Sequence, residues 1–317
     1  MESASVHFKH KDLLGIKELS KEEILYILEQ AKTMKYILSQ NAKKTPHLQG
    51  KSIVTLFYEN STRTRLSFEL ASKYMSAVAA NMTAKGSSVA KGESLIDTAK
   101  TIDMMGTDVI IMRHSASGAP HLVAKNVKSS IINAGDGMNE HPTQALLDMY
   151  TIMEKKGKIE GLKVAIVGDV AHSRVARSDI YALTKLGASV SVGGPSTLLP
   201  PDIEKLGVKA YTNVEEAIKG VDVIIALRLQ HERQKSGLIP DLREYTRFFG
   251  IDEKRFALAK DDAILMHPGP VNRGVELTTG VMENPRCFID EQVTNGVAVR
   301  MAILNILTRR SGNENIN

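Results

Sequence analysis

Ser61-Thr62-Arg63-Thr64-Arg65 places three hydroxyls and two guanidinium groups in five consecutive residues. The run before it, Ser52-Ile53-Val54-Thr55-Leu56-Phe57-Tyr58, has the composition of a strand. The run after it, Leu66-Ser67-Phe68-Glu69-Leu70-Ala71, spaces its apolar residues as a helix does. The five residues therefore fall where a strand hands over to a helix N-terminus, whose first backbone N–H groups lack intrahelical acceptors and carry partial positive charge. Such a site suits a phosphate dianion, and hydroxyls with a guanidinium fork complete it. Other phosphate motifs do not fit. Gly50-Lys51-Ser52 ends like a P-loop, but Thr45 stands where its first glycine should be, and it precedes its strand.

Further chemistry-bearing residues follow strand-like runs. Arg113-His114 follows Val109–Met112, and Ala134-Gly135-Asp136-Gly137 follows Ile131–Asn133, leading to His141-Pro142-Thr143-Gln144 at a helix start. Gly168-Asp169 and His172-Ser173-Arg174 follow Val164–Val167. Arg228-Leu229-Gln230 follows Val223–Leu227, and His267-Pro268-Gly269-Pro270 follows Ile264–Met266. In α/β sheets ligands bind beyond the carboxyl ends of strands, so together these segments point to one functional region. A dinucleotide-binding oxidoreductase is the rival reading of Val164–Asp169. The G-x-G-x-x-G fingerprint fails, because Val170 and Ser173 stand at its second and third glycines.

The elements that carry these residues alternate short apolar strands with helices, which predicts parallel sheets covered on both faces. The expected fold is α/β, with two domains each holding a parallel β-sheet flanked by helices. Ser20, with Glu23 three residues on, predicts a capping box at the start of the first helix. Helices are also expected over Arg177–Leu186, Val214–Lys219 and Gly296–Arg309. The two series join near Leu146–Lys158. The division expected is residues 1–145 and 146–292, with a terminal helix over 293–317 packing back on the first domain.

The chain of 317 residues is 43% hydrophobic and 24% charged, with a formal net charge of +5. That charge is modest and dispersed, which suits anionic small molecules better than nucleic acid. No stretch approaches the ~20 apolar residues of a membrane span, and the N-terminal residues have no signal-peptide core. Cys287 is the only cysteine, which excludes an internal disulfide and a cysteine-based metal cluster. The expectation is a soluble, cytoplasmic protein with neither metal nor cofactor.

Taken in order, Ser61 to Glu69, His141-Pro142-Thr143-Gln144 and His267-Pro268-Gly269-Pro270 resemble the carbamoyltransferase family, and the resemblance runs over nearly the whole chain. Within the family, Arg228-Leu229-Gln230-His231-Glu232-Arg233 looks like the R-x-Q-x-E-R segment of the branch whose acceptor is aspartate. Ornithine enzymes typically carry a Cys where this chain has Pro268-Gly269-Pro270. The physical argument agrees: a bidentate Arg228 suits a carboxylate, whereas ornithine's ammonium would be repelled.

The resemblance implies that the amine of L-aspartate attacks the carbonyl carbon of carbamoyl phosphate, releasing N-carbamoyl-L-aspartate and phosphate in the committed step of pyrimidine synthesis. Residues 1–145 would bind carbamoyl phosphate and 146–292 aspartate. By correspondence Ser61, Thr62, Arg63 and Thr64 hold the phosphate, and Arg63 also stabilises charge as the phosphate departs. Arg113, His141 and Gln144 surround the carbamoyl group, with Arg113 and His141 polarising its carbonyl. Arg174, Arg228 and Gln230 bind the aspartate carboxylates. The backbone of Pro268 and Gly269 contacts the amine and carbamoyl end, with a cis bond expected before Pro270.

The Gly/Ser-rich stretch from Lys85 to Glu93 would read as a solvated connector on composition alone. The resemblance instead has Ser87 and Lys91 enter the active site of the adjacent subunit in a homotrimer. Family members that assemble with a separate regulatory chain commonly have Leu or Met at the position of Gly269, followed by Arg-Val. Val271-Asn272-Arg273-Gly274-Val275-Glu276 instead resembles the unregulated trimeric kind or the kind associated with dihydroorotase-like partners. Assembly with a regulatory or dihydroorotase-like chain therefore stays open. The chain keeps the polar residues the chemistry requires, which argues against a relative that binds without catalysing.

Overall fold

The structure, a computed structural model, describes residues 8–83, 92–229, 238 and 241–313. Two compact units emerge. The first comprises Met1–Leu147 with Thr294–Asn317, and the second Asp148–Val293. Both are built on parallel sheets with helical crossovers, as the apolar strand runs require.

In the first unit, β1 (Ser52–Phe57), β2 (Val78–Thr83), β3 (Val109–His114) and β4 (Ser130–Asp136) form a sheet of order β2-β1-β3-β4. All pairs are parallel. The helices are α1 (Lys21–Ser39), α2 (Thr62–Tyr74), α3 (Leu95–Met104) and α4 (Ala119–Ala124). The capping box at Ser20 and Glu23 forms as expected, each side chain accepting from the other's backbone N–H. Every residue of β4 is buried, and in β3 only Arg113 and His114 keep partial exposure. A core of Leu56, Ala99, Ile110, Met112, Val123 and Ile131 fills one side of this sheet.

In the second unit, β5 (Lys163–Val167), β6 (Ser189–Gly193), β7 (Lys209–Tyr211), β8 (Val223–Ala226) and β9 (Ile264–Met266) form a parallel sheet of order β7-β6-β5-β8-β9. It carries α6 (Arg174–Lys185), α7 (Val214–Ile218), α8 (Leu242–Phe249), α9 (Glu253–Phe256) and α10 (Thr279–Met282). Helices α5 (Pro142–Lys156) and α11 (Ile289–Asn313) run from one unit into the other.

Two strands lie outside the expectations. β2 and β7 are edge strands, and β2 alternates between exposed and half-exposed residues. Continuous apolar runs mark strands covered on both faces, and an edge strand of this kind has no such run to show. Two helices also begin earlier than their apolar patterns suggest. α6 starts at Arg174 rather than Arg177, and α11 at Ile289 rather than Gly296. Ser173 explains the first, since its hydroxyl accepts from the Ala176 N–H and caps the helix.

Candidate active site

The order β2-β1-β3-β4 places the topological switch of the first sheet between β1 and β3: the chain leaves β1 for the edge, then returns to the other side. Connections diverge there and leave a crevice at the carboxyl ends. Phe57 of β1 stands in register with Arg113 of β3, and the Tyr58 N–H donates to the Arg113 carbonyl at 2.9 Å. Four residues on from Phe57, Ser61 is the N-cap of α2. Its hydroxyl caps nothing, whereas Ser20 and Ser94 each accept a backbone N–H at their own helix starts. The first turn of α2 holds no acidic residue. Thr62 and Arg63 are exposed and Thr64 is buried. The helix therefore begins with first-turn N–H groups that have no intrahelical acceptor, hydroxyls and a guanidinium but no carboxylate, an arrangement fit for a dianion.

Packing behind the cradle fixes α2. Phe68 is fully buried, and the Arg300 guanidinium of α11 lies 5.1 Å from its ring centroid while donating to Ser67 Oγ at 2.8 Å. Gly296 makes room for this Arg: a side chain there would collide with Arg300 Nη1.

Arg113 is held on two sides. Nη2 donates to Glu59 Oε1 at 2.7 Å, and Nη1 to the Ala134 carbonyl at 3.3 Å. The neighbouring His114 accepts from the Ala116 N–H through Nδ1 and lies 4.9 Å, ring to ring, from Tyr58. Burial lowers its pKa against the opposing pull of Asp136 and Glu59, which keeps the ring neutral and able to accept.

His141 and Gln144 are both buried at the start of α5, where the His141 carbonyl accepts from the Gln144 and Ala145 N–H groups. The preceding turn is knitted by Asp136, which accepts from Gly118 N at 2.6 Å, from Asn133 Nδ2 at 2.8 Å and from Glu140 N at 3.1 Å. Glu140 in turn accepts from the N–H of Ile16 at 2.7 Å and of Lys17 at 3.3 Å. Gly15 is required beside it, because any Cβ there would overlap the Glu140 carboxylate. Thus Arg113, His141, Gln144 and the α2 N-terminus all sit at or just beyond the carboxyl ends of three adjacent strands. Glu140→Ala orphans two backbone donors and is expected to cost about 3 kcal/mol. A drop in the urea midpoint at unchanged slope measures it, and a shift within error would show that the clamp is unimportant.

In the second unit the switch falls between β5 and β8, where Val167 stands in register with Ala226. Arg174, 3% exposed, opens α6 after β5, and Arg228, half-buried, follows β8. Glu276 draws the second of these segments together with the one after β9. Its carboxylate accepts from Leu229 N at 2.9 Å, from Asn272 N at 2.6 Å and from Asn272 Nδ2 at 2.6 Å. It also lies 3.8 Å from His267 Nε2. Burial raises its pKa, opposed by these donors and by the charge of Arg228. His267 is buried and accepts from the Gly269 N–H at 2.8 Å through Nδ1. The Gly269–Pro270 bond is cis, as expected, and Gly269 has φ +60°. Asp136 lay within a candidate segment of the sequence but was given no role there, and Glu276 was not a site candidate. An acid that binds only backbone and neighbouring side chains of its own fold looks, in a sequence, like any surface carboxylate.

Ser87, Lys91 and Gln230 lie outside the described residues. Among those described, no group of His, Cys, Asp or Glu side chains could hold a metal ion.

The family model described as aspartate/ornithine carbamoyltransferase, carbamoyl-P binding domain, matches residues 11–154. Its companion, the Asp/Orn binding domain, matches residues 160–307. The aspartate carbamoyltransferase catalytic subunit of Acetivibrio thermocellus is 71% identical over 309 residues, covering 98% of this chain and 99% of its own. The corresponding subunit of Ruminiclostridium cellulolyticum is 70% identical over 305 residues, covering 96% and 97%. Among solved structures, the Trypanosoma cruzi aspartate transcarbamoylase in complex with N-(phosphonacetyl)-L-aspartic acid superposes with a TM-score of 0.85 at 32% identity, covering 96% of this chain and 97% of that one. Ornithine carbamoyltransferase from Pyrococcus furiosus gives 0.84 at 31%, covering 94% and 97%. The acceptor amino acid thus varies among its structural neighbours while the architecture does not, and the chain belongs to the aspartate/ornithine carbamoyltransferase family.

Proposed function

We infer that this chain transfers the carbamoyl group of carbamoyl phosphate to the amine of L-aspartate, yielding N-carbamoyl-L-aspartate and phosphate in de novo pyrimidine biosynthesis. The observation that carries the donor half is the α2 N-terminus, with Ser61 uncommitted to capping and no acid in the first turn. The acceptor half is supported by Arg174 and Arg228 beyond adjacent strands of the second sheet, two cations suited to a dicarboxylate.

In this reading Ser61, Thr62, Arg63, Thr64 and Ser87 bind the phosphate of the donor. Arg113 and His141 polarise the carbamoyl carbonyl, and Gln144 orients its amide. Arg174, Arg228 and Gln230 take the acceptor's carboxylates, Lys91 adds a cation, and the backbone at Pro268 and Gly269 guides the attacking amine. The amine lone pair forms the C–N bond, the C–O bond to phosphate breaks, one proton of the nitrogen passes to an oxygen of the leaving phosphate, and the phosphate departs into the cradle. The protein's contribution is positioning and charge stabilisation, with no covalent intermediate on a side chain. The first domain then serves carbamoyl phosphate and the second aspartate. The proposed assembly is a homotrimer with shared sites working in the cytoplasm, a setting that suits a chain with a single cysteine.

The test is a product assay with carbamoyl phosphate and either L-aspartate or L-ornithine. Carbamoyl aspartate should form and citrulline should not. The reverse preference would overturn the acceptor assignment, and neither product would overturn the activity. Arg228→Ala should raise KM for aspartate strongly while calorimetric titration with carbamoyl phosphate alone stays near wild type. A large loss of carbamoyl phosphate binding would mean that Arg228 serves the donor instead.

A further inference from the structure

Asp148 of α5 and Asp179 of α6 are both fully buried and stand against each other in the second unit. Neither oxygen of Asp179 meets a hydrogen-bond donor among the described residues. Two ionised carboxylates cannot hydrogen-bond each other, and their repulsion in a dry interior is severe. A carboxylic acid facing a carboxylate removes the repulsion and supplies the missing donor. Asp148 is linked onward: Gln292 Nε2 donates to Asp148 Oδ1 at 2.7 Å, and Gln292 Oε1 accepts from the His267 N–H at 2.9 Å. His267 Nδ1 then accepts from the Gly269 N–H. The carboxyl pair thus sits at the root of a hydrogen-bonded chain ending in the 267–270 segment.

We propose that Asp148 and Asp179 share one proton and act, through Gln292, as positioning residues for the 267–270 segment, which rests on the reading of that segment as the acceptor's backbone contact. The proton makes Asp179 the donor and leaves Asp148 a single, well-placed acceptor for Gln292. Losing it sets two anions side by side, and the relief available is a shift of α5, α6 or Gln292. A shift of α5 or of Gln292 moves the amide that holds His267.

Burial first, and then the charge of Asp148, push the Asp179 carboxyl well above its ordinary range. The other charged groups on these elements within this unit are Arg174, Arg177 and Lys185 on α6, Glu154, Lys155 and Lys156 on α5, and Asp290 and Glu291 on α11. Asp169 after β5, Asp222, His267 itself and Glu276 are also buried in this unit. Among charged groups, Asp148 is the one that raises the Asp179 carboxyl. A carboxyl raised in this way keeps in the folded state a proton that the unfolded chain has shed. Its contribution to stability is therefore complete below the unfolded pKa and is lost as pH rises through the folded one.

The test compares wild type with Asp179→Asn, whose amide donates to Asp148 at every pH, and with Asp179→Ala, which donates at none. At neutral pH, wild type should show the infrared carbonyl band of an un-ionised carboxylic acid, sensitive to D2O and absent from Asp179→Asn. With saturating carbamoyl phosphate, KM for L-aspartate in wild type should climb severalfold toward alkaline pH relative to Asp179→Asn. Asp179→Ala should carry a raised KM throughout, with binding of carbamoyl phosphate alone unchanged. The Tm of wild type should fall relative to Asp179→Asn over the same range. Absence of the band would overturn the shared proton, and needs only folded protein. A band with parallel KM profiles in wild type and Asp179→Asn would overturn the positioning role. Failure of the underlying reading shows itself separately, as a Pro268→Ala variant that uses aspartate normally while the band persists.

Discussion

Arg63→Ala should lower turnover about 10²- to 10³-fold while leaving thermal stability close to wild type. Arg63 is exposed at the first turn of α2, so its loss removes no core packing. What it removes, in the proposed mechanism, is a guanidinium aimed at charge that grows as the phosphate departs, and a preorganised donor to developing charge is worth that factor. Thr62 and Ser61 remain, so carbamoyl phosphate should still bind, and the deficit should fall mainly on kcat. Near-normal turnover in the purified variant would place the phosphate elsewhere. Arg63→Lys should recover little, since a point charge cannot reproduce a planar fork.

Mixing two nearly inactive proteins should restore activity. If Lys91 serves the neighbouring subunit, then Lys91→Ala and Arg63→Ala trimers each fail, but hybrids formed by dissociation and reassembly contain sites in which both residues are intact. In a cyclic trimer drawn from equal inputs each condition holds half the time, so about a quarter of the sites should recover. Sites built within one chain would recover nothing, because every chain carries one lesion. A lack of recovery, with reassembled wild type active, would return Lys91 to its own subunit or remove it from the site. The experiment is the decisive one for the proposed homotrimer.

The regular parts of this fold were readable because period and composition speak locally. Central strands such as β3, β5 and β8 are apolar on both faces, which only a covered parallel sheet explains. Ser20 with Glu23 announced its own helix. The edge strands β2 and β7 stayed hidden because half of each faces solvent. Their identity as strands comes from pairing with a neighbour, β2 along the whole of β1 from Ser52 to Phe57.

The same divide runs through the site. The proposal that Ser61 to Arg65 bind phosphate could be made from sequence, because such a ligand's demands are met within one turn of chain. Sequence could place Arg113, His141, Arg174 and Arg228 at strand ends, but only the strand order decides which ends are adjacent: β1 with β3 and β4 in one sheet, β5 with β8 and β9 in the other. Glu140, Glu276 and the pair Asp148 and Asp179 are wholly products of tertiary structure. Each has a partner tens of residues away or more, as Ile16 is from Glu140, Leu229 from Glu276 and Gln292 from Asp148. Local patterns encode the residues proposed to meet a ligand directly. The acids that hold those residues in place acquire their roles through long-range burial, where an unpaired charge is costly and each carboxylate must find its donor in the folded chain.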